Sequence, residues 1–415
     1  MSPHEITLFL YNMTLFPVIF FSLLFILLAF INIFFFSKPK KDRYPKQERM
    51  PFISVQIPTF NDPVAKRCIE RCLQFDYPKD RFEIVIVDDS TNVETQLLLA
   101  EYAELHPGFV KYIHRENRQG FKPGALRNAM KITKGEIIVI FDADWIPGKQ
   151  FLKRISKPFA DPKVALVQTR QGIYNRDTNL ITRFAAYTLM IYHSIIMPIN
   201  NKINCVFFCG TAGALRRSAM DEVGGWNLNS ITEDSDLSVN LLKRGYRTVY
   251  LDFETPSEVP ETFESFVKQQ MRWCYGNVRV FCDNAKSILF GKGFSIKQRM
   301  MITYILMSHA IAPIIVGMTL FGLSGWFVGE PTLITWGDMV EFIAKFLMTA
   351  GFIFIGAVML YRYRLLKELK YLVATVFTIG PIMAFSSTIA FFRAIFNKGL
   401  HWFCTPKNDN VKALE

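Results

Sequence analysis

From Ile6 to Ser37 the chain carries no Lys, Arg, Asp or Glu. Crossing the hydrocarbon core of a bilayer takes about 20 apolar residues, and this run exceeds that. It is too long for the apolar core of a secretory signal, and no small-residue cleavage site stands out. One end of the chain therefore reads as a membrane helix. Directly after it comes Ser37-Lys-Pro-Lys-Lys-Asp-Arg-Tyr-Pro-Lys-Gln-Glu-Arg49. Lys and Arg gather on the cytoplasmic flank of spanning helices, so this side is expected in the cytoplasm and the N-terminus outside. Met300–Gly329 is a second run without Lys, Arg, Asp or Glu and is expected to span. The loop beyond it carries Glu330, Asp338 and Glu341, which suits the outside. A third helix is expected from about Ile343 to Tyr361, followed by the basic, inside stretch Tyr361–Lys370. The last apolar run, Tyr371–Phe392, is divided by Gly380-Pro381. A proline there frees a backbone carbonyl and kinks a helix, so this run either crosses once or turns back.

At 415 residues there is room for more than one domain. The net charge of +12 is compatible with nucleic acid, a membrane surface or anionic substrates. No nucleic-acid module is visible and the basic residues flank apolar segments, so the charge is read as membrane topology. Seven cysteines without a C-x-x-C fit reduced thiols on a cytoplasmic face. Cys68 and Cys72, four apart on an expected helix, are read as core.

Residues 50–260 have a different texture. Strands are expected at Ile53–Ile57, Glu83–Val87, Val110–His114, Glu136–Phe141 and Val164–Gln168. Helices are expected at Val64–Phe75 and from Pro123, where a missing N–H does no harm. Alternating β and α predicts a mostly parallel sheet covered by helices, a nucleotide-binding type of architecture. It has no G-x-G-x-x-G or Walker loop. Two stretches, Leu180–Pro198 and Phe263–Phe290, are too apolar for a soluble surface and are expected as helices lying in the membrane interface. For the first, a core helix competes closely.

Ile137–Phe141 is a continuous apolar run, as in a strand buried on both faces, and it ends in Asp142-Ala-Asp144. Residues i and i+2 of an extended chain point the same way, and open α/β sheets bind ligands at the carboxyl ends of their strands. The two carboxylates can therefore reach one cation, and oxygen ligands suit Mg2+ or Mn2+. Asp88-Asp89 marks another strand end. Gln119-Gly-Phe-Lys-Pro-Gly124 places glycines, the cation Lys122 and a helix start together, a setting for a diphosphate. Ile231-Thr-Glu-Asp234 is an acidic cluster ahead of a helix expected over Ser235–Lys243. Gln269-Gln-Met-Arg-Trp273 joins an amide, a guanidinium and an indole. Each alone reads as a turn, a cap or an interfacial anchor; together, between membrane segments, they point to chemistry.

Over roughly residues 50–407 the sequence resembles the membrane-embedded family 2 glycosyltransferases, the group of cellulose, mannan, chitin and hyaluronan synthases. The matching residues are Asp88-Asp89, Asp142-Ala-Asp144, Thr232-Glu-Asp234 and Gln269-Gln-x-Arg-Trp273, and the wording is most similar to the mannan synthase-like branch. The resemblance implies a GT-A fold, a Rossmann-like α/β domain of mostly parallel sheet, joined to transmembrane helices. It implies that Asp234, with Glu233 and Thr232, serves catalysis, Asp234 as general base. Donor contacts fall to Asp88, Asp89, Lys122, Asp142, Gln269, Arg272 and Trp273, and a Mg2+ or Mn2+ site to Asp142 and Asp144. Phe208, Cys209, Gly210 and Thr211, within Phe207-Phe-Cys-Gly-Thr-Ala-Gly213, resemble the segment that meets the acceptor's terminal sugar, with Trp273 as a platform. Trp402-Phe-Cys-Thr-Pro-Lys407 resembles a gating loop, adding Thr405 and Lys407 to the donor set. Such a loop is cytoplasmic, which makes 371–392 a hairpin.

The expected division is a membrane helix (1–37), a basic linker (38–49), the glycosyltransferase domain (50–260), amphipathic interface helices (261–298), membrane helices with the hairpin (299–396) and a gating-loop-like tail (397–415). The expected protein is an inverting hexosyltransferase of the plasma membrane with a cytoplasmic catalytic domain, a UDP- or GDP-hexose donor and a growing β-linked polysaccharide as acceptor. Three crossings are few for a polysaccharide channel. A homo-oligomer, a short product, or a single sugar added to a ceramide, diacylglycerol or polyprenyl lipid therefore stays open.

Overall fold

The computed structural model describes residues 1–36, 44, 49–329 and 335–399. Its centre is a seven-stranded sheet of β1 (Ile53–Thr59), β2 (Phe82–Asp88), β3 (Val110–His114), β4 (Ile137–Ile140), β5 (Val164–Ile173), β6 (Gly213–Arg216) and β7 (Arg247–Ser257). The order is β3-β2-β1-β4-β6-β5-β7, with β6 antiparallel to β4 and β5 and every other pairing parallel. The mostly parallel sheet is as the alternation of apolar runs implies. Every residue of β2 and β4 is buried, because helices cover both faces. β6 and β7 carry mixed side chains rather than a continuous apolar run, so periodicity does not reveal them. Since all strands but β6 run the same way, Thr59, Asp88, Ile140 and Ser257 end at one edge, and the cleft lies there.

The helix Ala65–Leu73 buries Cys68 and Cys72 against the sheet, as expected. The helix expected from Pro123 begins earlier, at Phe121, and Pro123 lies in its first turn. The acidic cluster is displaced similarly. The helix spans Glu233–Lys243, so Glu233 and Asp234 are its first two residues.

Among the described residues, three helices are long and apolar enough to cross a membrane, Pro3–Phe35, Leu180–Lys202 and Ile296–Val328; counting each of two bent pairs as one more gives up to five. The helix in 180–202 is largely covered by the rest of the protein. Its most apolar window is 61% buried, against 28% and 6% in the other two. It starts on a capping box, Asn179 accepting from Ile181 N at 2.8 Å and Thr182 N at 2.9 Å. Tyr187, Ile191 and Ile195 then pack on Leu28, Ala29, Ile355 and Leu372 of the apolar helices. On its other side Tyr250 of β7 donates to His193 O at 2.8 Å. An interface helix and a buried one share the same apolar pattern; what covers them is set by distant parts of the chain.

The helix expected over 343–361 is broken. Trp336–Thr349 and Gly351–Arg362 meet at 55°. At the break Gly351 N donates to Ser22 Oγ at 2.7 Å, and a Cβ on Gly351 would stand 2.3 Å from Ser22 O. Contact with the first helix thus fixes a bend no proline announces. The Gly380-Pro381 break is present, Leu366–Thr378 meeting Gly380–Ile395 at 48°. Phe263–Phe290 is one 28-residue helix. One face meets the acidic cluster, with Ser235 Oγ donating to Asn277 Oδ1 at 2.8 Å. The other meets Gly380–Ile395, where Arg279 Nη1 donates to Ala394 O at 3.2 Å.

Candidate active site

One cleft at the strand ends is lined by Asp89, Lys122, Asp142, Asp144, Cys209, Gly210, Thr211, Thr232, Glu233, Asp234, Gln269, Arg272 and Trp273. These come from six separate stretches of sequence. Two expected site residues do not line it. Asp88 is fully buried at the end of β2, accepting from Tyr112 OH at 2.9 Å and Ser90 N at 3.0 Å, with His114 Nδ1 at 3.3 Å. Its carboxylate is used in building the strand end. Phe208 is 2% exposed and packs in the core beside Trp226. Thr405 and Lys407 lie outside the described residues.

Lys122 Nζ donates to Asp142 Oδ1 at 2.5 Å and to Gly210 O at 3.0 Å. Burial would lower its pKa, but Asp142, Glu233 and Asp234 outweigh that and hold it above its ordinary value. Asp142 N in turn donates to Thr211 Oγ1 at 2.9 Å. Asp144 Oδ2 accepts from Glu258 N, just past β7, at 3.2 Å. Two adjacent carboxylates at one strand end suit a small hard cation that keeps phosphate oxygens and waters as further ligands. Among the described residues no group of three or more His, Cys, Asp and Glu forms a fuller cage.

Glu233 and Asp234 open their helix, where the helix dipole favours negative charge. Burial nevertheless dominates. It pushes Glu233 up to about 7, with Asp234 adding to the rise and Lys122 and Arg272 opposing it. Burial also raises Asp234, against Ser235 N, Lys122 and Arg272. The charge on one carboxylate thus makes the other harder to ionise, and the two titrate together. Asp234 Oδ2 faces Gly210, whose φ is +79° and whose added Cβ would stand 3.0 Å from that oxygen. A side chain there would fill the space in front of the carboxylate.

Spacings of three and four residues share a helix face, so Gln269, Arg272 and Trp273 all reach the cleft from Phe263–Phe290. Gly276, one turn on, permits the approach. A Cβ there would meet Thr232 at 2.3 Å. Sequence reading missed Gly276. It missed the residues that hang the 208–212 segment as well. Buried Gln168 accepts from Cys209 N at 2.9 Å and donates to Thr211 O at 3.0 Å, while Ser238 Oγ accepts from Phe208 N at 2.8 Å. It also missed Arg67, which donates to Asp144 O at 3.2 Å and to Glu258 Oε1 at 3.1 Å. None of these forms a motif; a buried glutamine inside the β5 run was the one legible signal.

Residues 137–385 match the family model described as "Glycosyl transferase family group 2". The chain is 34% identical over 290 residues to "Glucomannan 4-beta-mannosyltransferase 2" of Arabidopsis thaliana, covering 65% of this chain and 54% of that protein. It is 35% identical over 266 residues to "Glucomannan 4-beta-mannosyltransferase 1" of Oryza sativa subsp. japonica, covering 61% and 51%. The chain spans about half the length of the curated relatives it matches. Among solved structures, the mannosyltransferase PcManGT from Pyrobaculum calidifontis, in complex with GDP-Man and Mn2+, superposes with a TM-score of 0.65. That match covers 96% of this chain and 100% of the other at 20% identity, a likeness of fold.

Proposed function

The chain belongs to glycosyl transferase family group 2, and from that premise we propose that it is a membrane-bound inverting hexosyltransferase moving mannose from a nucleoside-diphosphate donor to a β-linked glycan. The observation that carries this is the meeting of Lys122, Asp142, Asp144, Asp234, Arg272 and Trp273 in one cleft. The sugar and linkage follow the names of the plant relatives. The fold neighbour's bound GDP-Man and Mn2+ make GDP-mannose with Mn2+ the first donor to try.

Asp234 takes the proton of an acceptor hydroxyl within hydrogen-bond reach. The hydroxyl oxygen bonds to the anomeric carbon as the bond from that carbon to the diphosphate breaks on the opposite face, so an α-linked donor yields a β-linked product. A raised pKa makes Asp234 a better base near neutrality than an ordinary carboxylate. Asp142 and Asp144 would hold the cation; when bound, Mn2+ or Mg2+ neutralises the departing diphosphate. Lys122 and Arg272 add fixed positive charge where negative charge develops. Cys209, Gly210 and Thr211 border the acceptor side, and Trp273 offers a sugar ring an apolar face. The basic flank after the first apolar helix supports a cytoplasmic cleft in the cell membrane.

The test is transfer of radiolabelled sugar by the purified protein in lipid nanodiscs, across GDP- and UDP-hexoses with Mn2+ or Mg2+. Glycanase-sensitive label in the aqueous or insoluble fraction supports the glycan acceptor. Label confined to the organic phase replaces it with a lipid acceptor. Absence of metal-dependent turnover in wild type and Asp234→Asn alike refutes the catalytic reading.

A further inference from the structure

Arg115 follows β3 and reaches under the loop Gln119–Gly124. Its Nε donates to Asp89 Oδ1 at 2.6 Å, and its Nη2 reaches Asp89 Oδ2. From the same guanidinium, Nη1 donates to Gln119 O at 3.1 Å and Nη2 to Phe121 O at 3.0 Å. The pair is dry, the two side chains being 9% and 5% exposed. Lysine cannot reproduce this planar fork, which binds a carboxylate on one side and two carbonyls on the other.

What the fork holds is an unfavourable stretch of backbone. Gly120 has φ +73° and Phe121 φ +46°. Glycine enters that region freely, whereas a residue bearing a bulky side chain does so only when its surroundings impose it. The loop is packed so tightly that a Cβ on Gly124 would stand 2.0 Å from Gln119 O and 2.9 Å from Arg115 Nη1. The residue after Phe121 is Lys122, whose ammonium bridges Asp142 and Gly210 O.

We propose that Arg115, anchored by Asp89, is a positioning residue that imposes the left-handed turn at Phe121 and thereby aims Lys122 at the donor's diphosphate. Asp89 then serves the donor through Arg115, at the diphosphate end, as well as by bordering the cleft. This rests on the nucleotide-sugar reading.

The experiment is calorimetric titration of the full chain in nanodiscs with GDP and GMP, and with UDP and UMP, in the presence of Mn2+. Wild type is expected to prefer the diphosphate of one pair. Arg115→Lys is expected to weaken that diphosphate about tenfold, the loss of a charge-assisted fork, and to leave the monophosphate unchanged. Adding Phe121→Gly to Arg115→Lys is expected to restore most of the loss, because glycine adopts the turn unaided. Equal weakening of mono- and diphosphate overturns the proposal, and so does a double variant no better than the single. Should Arg115→Lys fail to fold, Arg115→Gln, which keeps amide donors and loses the fork, is expected to show the same diphosphate-selective loss. Its absence overturns the proposal too. A wild type that binds neither nucleotide pair fails the donor reading itself, and the proposal with it.

Discussion

Replacing Gly276 by alanine adds one methyl group at the point where the Gln-Gln-x-Arg-Trp helix meets the acidic cluster. That carbon would stand 2.3 Å from Thr232 Cγ2, 2.6 Å from Oγ1 and 2.9 Å from Cβ. All three are closer than carbon and oxygen atoms tolerate, and Thr232 is 6% exposed, so it has nowhere to rotate. Overpacking of this kind costs about 1–3 kcal/mol. The cheapest relief separates the helix Phe263–Phe290 from the turn carrying Glu233 and Asp234. A base displaced by about 1 Å loses on the order of 100-fold in rate. Gly276→Ala is therefore expected to lower kcat by about that factor, with KM for the donor rising as well because Gln269, Arg272 and Trp273 ride on the same helix. The assay is initial-rate transfer at saturating acceptor, on protein first shown to be monodisperse by size exclusion. Thr232→Ser removes the methyl of the 2.3 Å contact and keeps the hydroxyl, so Gly276→Ala/Thr232→Ser is expected to recover part of kcat. An unchanged kcat in Gly276→Ala, or a loss the serine leaves untouched, refutes the claim that this contact seats the base.

Transfer is expected to rise with pH as Asp234 loses its proton, with a midpoint above the usual carboxylate range because burial raises it. A kcat profile flat between about pH 5 and about pH 8 refutes the assignment. Because both folded-state values are raised, the pair favours the fold at low pH, and that contribution is lost as pH climbs from the ordinary carboxyl range towards about 7; thermal denaturation across pH checks the sign. Lys122→Met is expected to cost about 100–1,000-fold in kcat, the scale of one lost electrostatic stabiliser; under tenfold removes it from the transition state. Chelation with EDTA is expected to stop transfer and added Mn2+ to restore it, with Asp144→Asn raising the Mn2+ concentration needed. Asp88→Ala is expected to lower stability by about 1–3 kcal/mol through the unpaired Tyr112 hydroxyl and Ser90 N–H, with donor KM little altered; a large KM effect places Asp88 in the donor site after all.

The motifs were legible because they stand at strand ends and helix starts, where local sequence dictates both conformation and chemistry. Asp142 and Asp144 follow a run of Ile and Val that has one plausible conformation. Gln269, Arg272 and Trp273 are spaced for a single helix face. Asp88 and Asp89 show the limit of such reading. Neighbours in sequence, they turn opposite ways, and Tyr112 and Arg115 decide their separate uses. Gly276 and Gly351 were illegible for another reason, since each is explained by a residue far away, Thr232 and Ser22, approaching closer than a Cβ allows. The helix after Asn179 shows the same dependence, its apolar face being equally suited to lipid and to other helices.

The helix Phe263–Phe290 extends about 42 Å at 1.5 Å per residue, with the base's turn seated on one side and Gly380–Ile395 on the other. Solubilisation enters at that second contact. A detergent that lets Gly380–Ile395 peel away withdraws the support beneath Arg272 and Trp273 but leaves Lys122 and the strand-end carboxylates untouched. Extracts that still retain nucleotide yet no longer transfer sugar, and that regain turnover on reconstitution into lipid, are the behaviour this arrangement leads one to expect.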